Sequence, residues 1–140
     1  QLCTKLGSVD TSAATSLRII GYRAFNQCSN LQSITLPNSL ISIGEHAFSL
    51  CNSLTSVTIP HSVVSVGKAA YLSCLNLQWV KVGDNVTTLG AHVFALSKNL
   101  HSVTLGKSVQ AIPDFAFIKK LCYFLRCWKM INPVWIIKLN

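Results

Sequence analysis

Residues 31–53 read LQSITLPNSLISIGEHAFSLCNS, and residues 54–76 read LTSVTIPHSVVSVGKAAYLSCLN. Laid over one another, the two stretches keep their apolar positions in phase at a spacing of 23 residues. The phase runs outward in both directions, so that Leu17, Leu40, Val63, Val86 and Val109 open five successive units. The fourth position of a unit is Ile20, Ile43, Val66, Leu89 or Ile112, and the next is Gly21, Gly44, Gly67, Gly90 and then Pro113. An aromatic follows at Phe25, Phe48, Tyr71, Phe94 and Phe117, then Cys28, Cys51 and Cys74, with Ser97 in the fourth unit. Each clean unit closes on an apolar trio such as Leu54, Val57 and Ile59. A fixed period between about 20 and 50 residues marks a solenoid, in which each unit buries its apolar face only against its neighbours.

The local physics of one unit is legible. Ile34-Thr35-Leu36 alternates apolar and polar, the period of a half-buried strand. Its equivalents lie one rung apart and are expected to pair in parallel at roughly 4.8 Å. Pro37 and Pro60 end the first two strands because proline has no N–H for the ladder, and Gly83 and Gly106 take that place in the next two units. Ser42-Ile43 and its equivalents are expected to be extended. The glycine after them is expected to ease a turn. The run Ala47–Asn52 is long enough for one or two helical turns, with Phe48 pointing into the core. The fold class that follows is an α/β repeat solenoid with a parallel sheet on one face and short turns or helical segments on the other.

The pattern Leu-x-x-Ile-x-Leu-Pro, Ile-Gly and Ala-Phe-x-x-Cys resembles the leucine-rich repeats of the BspA-like type, with Leu31–Cys51 and Leu54–Cys74 as the best-preserved copies. The resemblance covers roughly residues 17–117. It implies repeats of surface proteins that serve adhesion to host matrix proteins, to other cells or to each other, and it brings no catalytic residues. Three regions are expected: a ragged partial repeat over 1–16, where Cys3, Leu6 and Val9 keep the spacing of Cys28, Leu31 and Ile34; the solenoid over 17–117; and an atypical tail over 118–140.

The tail departs in composition. Residues 1–117 carry seven Lys/Arg against four Asp/Glu, whereas residues 118–140 carry Lys119, Lys120, Arg126, Lys129 and Lys138 with no acid, which makes the chain's net charge +8. Lys120, Tyr123 and Arg126 stand where a cysteine, a leucine and a core aliphatic belong. Three readings stay open: a C-terminal cap on the last rung, an amphipathic membrane-surface helix, or a misread gene end. Charges interrupt every apolar run well short of the ~20 residues a membrane-spanning helix needs. The solenoid itself is only mildly basic and gathers no Lys/Arg face with stacking aromatics, which argues against nucleic acid.

Six cysteines occur, without a Cys-x-x-Cys pair of the kind that binds zinc. Cys28, Cys51 and Cys74 recur once per unit and are expected to form a column of buried thiols, behaving as small hydrophobes. Adjacent rungs bring such residues toward disulfide range, which geometry must decide. Cys3, Cys122 and Cys127 lie outside the clean repeats. The chain opens on Gln1, as a mature form or a fragment does, and shows no secretory signal. Asn85-Val86-Thr87 is a glycosylation sequon, meaningful only in a eukaryotic secretory route.

No convergent set of titratable groups suggests catalysis. The acids are Asp10, Glu45, Asp84 and Asp114, and the histidines are His46, His61, His92 and His101. His46 and His92 share a repeat position but lie two rungs apart, on the order of 10 Å, too far for a common metal or proton relay. No phosphate loop, nucleophile elbow or dinucleotide fingerprint is present, and no metal or cofactor is expected. A binding role is the stronger reading. The outward residues of the strands form columns: Gln32, Thr55, Gln78, His101; then Ser33, Ser56, Trp79, Ser102; then Thr35, Thr58, Lys81, Thr104. Trp79 and Lys81 break the hydroxyl ladders, and with Gln78 and His101 they form the candidate protein-binding site. The chain is therefore expected to be a non-enzymatic adhesion or protein-binding module, extracellular or at the cell surface by resemblance. A structural or self-associating segment of a longer repeat protein is the alternative, and membrane contact by the tail is a weaker one.

Overall fold

Among the described residues eleven short strands form, and the repeat stacks the first nine of them. In the computed structural model, residues 3, 5–118, 128–131 and 134–138 are described. The apolar-polar alternation produces strands β1 (Ser8–Asp10), β3 (Ser33–Thr35), β5 (Ser56–Thr58), β7 (Trp79–Lys81) and β9 (Ser102–Leu105). The extended dipeptides before the glycines form β2 (Ile19–Ile20), β4 (Ser42–Ile43), β6 (Ser65–Val66) and β8 (Thr88–Leu89). These four make a second parallel ladder in the order β2-β4-β6-β8, with Ile20, Ile43, Val66 and Leu89 in register and turned inward. On the first face β1 pairs β3, and β5, β7 and β9 pair in succession, all in parallel. Strands β10 (Trp128–Ile131) and β11 (Val134–Lys138) form an antiparallel pair, and β11 joins β9 in antiparallel register, Ile137 opposite Val103. The basic residues Lys119, Lys120 and Arg126, the substitution Tyr123, and Cys122 and Cys127 lie outside the described residues.

The third side of each rung corrects the α/β expectation. No helix forms among the described residues, and Ala47–Asn52 is a chain of turns. The backbone gives the reason. His46 and Leu50 have φ of 54° and 63°, and the same two positions recur with positive φ at Arg23 and Gln27, Ala69 and Ser73, His92 and Leu96. A left-handed residue cannot continue a right-handed helix. Alternate N–H groups close local turns, as Ala47 N–H does on Gly44 O at 3.3 Å. The others donate to the next rung: His46, Phe48 and Leu50 N–H meet the carbonyls of Lys68, Ala70 and Leu72 at 3.0, 2.8 and 2.8 Å. Bonds that a helix would spend within itself thus tie the stack together.

The core is one continuous cluster built from columns. Phe25, Phe48, Tyr71, Phe94 and Phe117 stack ring on ring, with centroid spacings of 5.1, 5.1, 5.8 and 5.8 Å. Phe48 points inward as expected, and Tyr71 is wholly buried with its hydroxyl lacking a partner among the described residues. Cys28, Cys51 and Cys74 are buried free thiols, but they are more than small hydrophobes. Cys51 Sγ donates to Phe25 O at 3.1 Å and Cys74 Sγ to Phe48 O at 3.2 Å, each reaching back one rung. Ser97 Oγ makes the same bond to Tyr71 O at 3.3 Å, which explains how a serine replaces cysteine there. Burial pushes the Cys28 and Cys51 thiols up to about 12 and the Cys74 thiol well above its ordinary range.

Candidate protein-binding face

Strand β7 carries the centre of the candidate site. Val80 is buried in the core, so its neighbours Trp79 and Lys81 both project outward, as the period of two requires. Trp79 lies between Ser56 and Ser102, and Lys81 between Thr58 and Thr104, in the parallel register. Trp79 is 43% exposed, a large indole left in water among small hydroxyls. Lys81 is exposed and forms no ion pair among the described residues.

Gln78 and His101 are brought beside them by the backbone. The His101 N–H donates to Gln78 O at 2.9 Å, so the two residues occupy adjacent rungs at the entrance to β7 and β9. The Gln78 side chain is exposed to solvent. The His101 ring bonds back to its own turn, Nδ1 to Asn99 O at 3.1 Å, where Nδ1 must carry the proton because a carbonyl only accepts. The four predicted residues are therefore contiguous on two neighbouring rungs.

A groove beside them escaped the sequence reading. It encloses about 320 Å³ and is lined by Ser33, Thr35, Asn38, Thr58, His61 and Lys81, among others. It sits where the strand face is divided: β3 belongs to the pair with β1, while β5 begins the ladder toward β7. Only small hydroxyl side chains stand on either side of that division, which leaves the surface hollow. The four residues Ser33, Thr35, Ser56 and Thr58 were the available signal, since two consecutive rungs without a bulky outward side chain make a depression. His61 at its rim accepts the Asp84 N–H on Nδ1 at 3.2 Å, with Asp84 Oδ2 at 3.5 Å from the same nitrogen.

The remaining histidines serve packing. His46 lies 3.6 Å from Glu45 and edge-on to Tyr22, and His92 stacks on Phe115 at 5.1 Å. Among the described residues no group of three or more His, Cys, Asp or Glu side chains is arranged to hold a metal ion. No helix among them is long and apolar enough to cross a membrane.

Comparisons with known proteins agree on the repeat. A crystal structure of a leucine-rich repeat protein from Bacteroides ovatus is 30% identical with a TM-score of 0.65, over 72% of this chain and 25% of that one. The leucine-rich repeat protein of T. pallidum is 28% identical with a TM-score of 0.65, over 76% of this chain and 58% of that one. The pneumococcal vaccine antigen PcpA is 28% identical with a TM-score of 0.72, over 78% and 26%. The chain thus spans about a quarter to somewhat over half of these proteins' lengths. A search of curated proteins gives no match. Six copies of the BspA type leucine rich repeat region are matched over residues 2–123, and the chain belongs to that family.

Proposed function

We propose that this chain is a non-catalytic adhesion module that binds a protein partner, such as a host matrix or cell-surface protein, through its strand face. The observation that carries the reading is the interruption of the hydroxyl ladder at β7, where an exposed indole and an unpaired ammonium stand together beside a groove. A Trp at the centre of an interface contributes large contact area at little conformational cost, and Lys81 would select an acidic feature of the partner. An extracellular or cell-surface setting accompanies this reading. Strands β10 and β11 of the tail then serve as a cap, because the antiparallel register of β11 on β9 ends the parallel ladder.

The test is binding of the intact chain to purified matrix glycoproteins and to cells. Trp79→Ala, with its melting profile unchanged, is expected to weaken binding about 30-fold, the size of a hot-spot loss. Unchanged affinity for every partner that the intact chain binds removes Trp79 from the site. The alternative, a self-associating structural segment, is favoured by one observation: Ile19 and Tyr22 on and beside edge strand β2 are each 62% exposed. Concentration-dependent oligomers lost on Tyr22→Ser would support that alternative.

A further inference from the structure

The thiol column has an end, and the end differs from the rest. Cys51 and Cys74 each donate to a carbonyl of the preceding rung and have no exposure to solvent. Cys28 is equally buried, but the chain below it is the partial N-terminal rung. The pairing of β1 with β3 places Val9 opposite Ile34. Counting six residues back along both segments sets Cys3 directly beneath Cys28, one rung away. A rung step of roughly 4.8 Å falls inside the Cα separation of about 4.4–6.8 Å that a disulfide spans. Cys3 is exposed, unlike every thiol of the column.

We propose that Cys3 and Cys28 form a redox staple, closed by a small-molecule disulfide, that fastens the N-terminal rung to the first complete rung. The Cys3 thiolate attacks one sulfur of the external disulfide, forming a mixed disulfide and releasing one thiolate. Cys28 then gives its proton to solvent and attacks the Cys3 sulfur, and the second external thiolate leaves. Two protein thiols are oxidised and one external disulfide is reduced to two thiols, so atoms and electrons balance. The second step is the slow one, because burial disfavours the Cys28 thiolate. Cys51 and Cys74 take no part: both are fully buried and their protons are engaged with carbonyls.

The staple matters for the strand face. The partial rung is held by β1 on β3, by Gln32 N–H on Gly7 O at 2.8 Å, and by the backbone and side chain of Thr11 on Thr35 O at 3.0 and 2.7 Å. Strand β3 is also one wall of the groove. Closing the loop from Cys3 to Cys28 removes freedom from the unfolded chain and keeps β1 in place, so that wall stays backed.

The test uses the full chain exposed to excess oxidised glutathione, then alkylated, digested and analysed by mass spectrometry. The expected product joins peptide 1–5 to the peptide holding Cys28, two hydrogens lighter than the sum, with Cys51 and Cys74 alkylated only after denaturation. Cys28→Ser keeps a hydrogen-bonding side chain and should stop at a glutathione adduct on Cys3. Oxidation should raise the melting midpoint of the native chain by several degrees and leave that of Cys3→Ser unmoved. A Cys3 that stays as a glutathione adduct in the native chain, or that links to another cysteine or another molecule, overturns the proposal.

Discussion

Gly67 and Gly21 occupy the same place in the repeat, yet replacing each by alanine should have opposite effects. Neither glycine has positive φ, so alanine fits the backbone at both. A Cβ on Gly21 would meet nothing within 4 Å, because Gly21 belongs to the first complete rung. A Cβ on Gly67 would lie 2.6 Å from Glu45 N and 2.7 Å from Gly44 C, both of them backbone of the rung before. Ordinary carbon contacts sit at about 3.5–4.0 Å, so the rungs must part by close to 1 Å. The Gly67 N–H bond to Ile43 O is 2.8 Å, and an opening of that size takes it beyond hydrogen-bond range. Overpacking costs about 1–3 kcal/mol and a lost bond about 1 more, so Gly67→Ala is expected to lose about 3 kcal/mol. Gly21→Ala should gain about 0.4–1 kcal/mol by restricting the unfolded chain. At roughly 3–4 °C per kcal/mol for a chain of this size, the variants should melt at least ~10 °C apart when followed by circular dichroism. If Gly67→Ala melts within about 2 °C of the native chain, close approach between rungs is not why glycine stands there.

Three further outcomes follow from the columns. Tyr71→Phe removes a buried hydroxyl without a partner and should raise stability by about 1 kcal/mol in urea unfolding; a loss of that size would mean the hydroxyl is satisfied. Leu50→Ile keeps volume but puts a β-branch at φ 63°, and should cost about 1–2 kcal/mol in the same assay. Alkali should also destabilise the fold. The Cys28 and Cys51 thiols are pushed up to about 12 by burial, against an ordinary value of 9.0. Between those values the unfolded chain binds fewer protons than the folded one, so stability is full below about pH 9 and falls as pH rises toward about 12. Each thiol adds at most about 1.4 kcal/mol per pH unit to that slope, and Cys51→Ala should flatten it; an unchanged slope would contradict burial of the neutral form.

The 23-residue period alone determined the stack, its parallel register and its core, because alternation fixes which side chains turn inward whatever the rest of the rung does. It placed Ile34, Val57, Val80 and Val103 inside and Trp79 and Lys81 outside. It could not decide the third side. Ala47–Asn52 has helix-compatible residues, and only neighbouring rungs, offering carbonyls in phase, make left-handed φ at two positions four residues apart cheaper than a helix. One trace was present: none of the nine positive-φ positions is β-branched. The glycines were visible, but their reason was not, since a turn needs only local geometry and a close approach needs the next rung in place. The groove likewise required the stack, because it opens where the strand ladder divides between β3 and β5, whereas the placement of Cys3 beneath Cys28 was already legible in their shared repeat position.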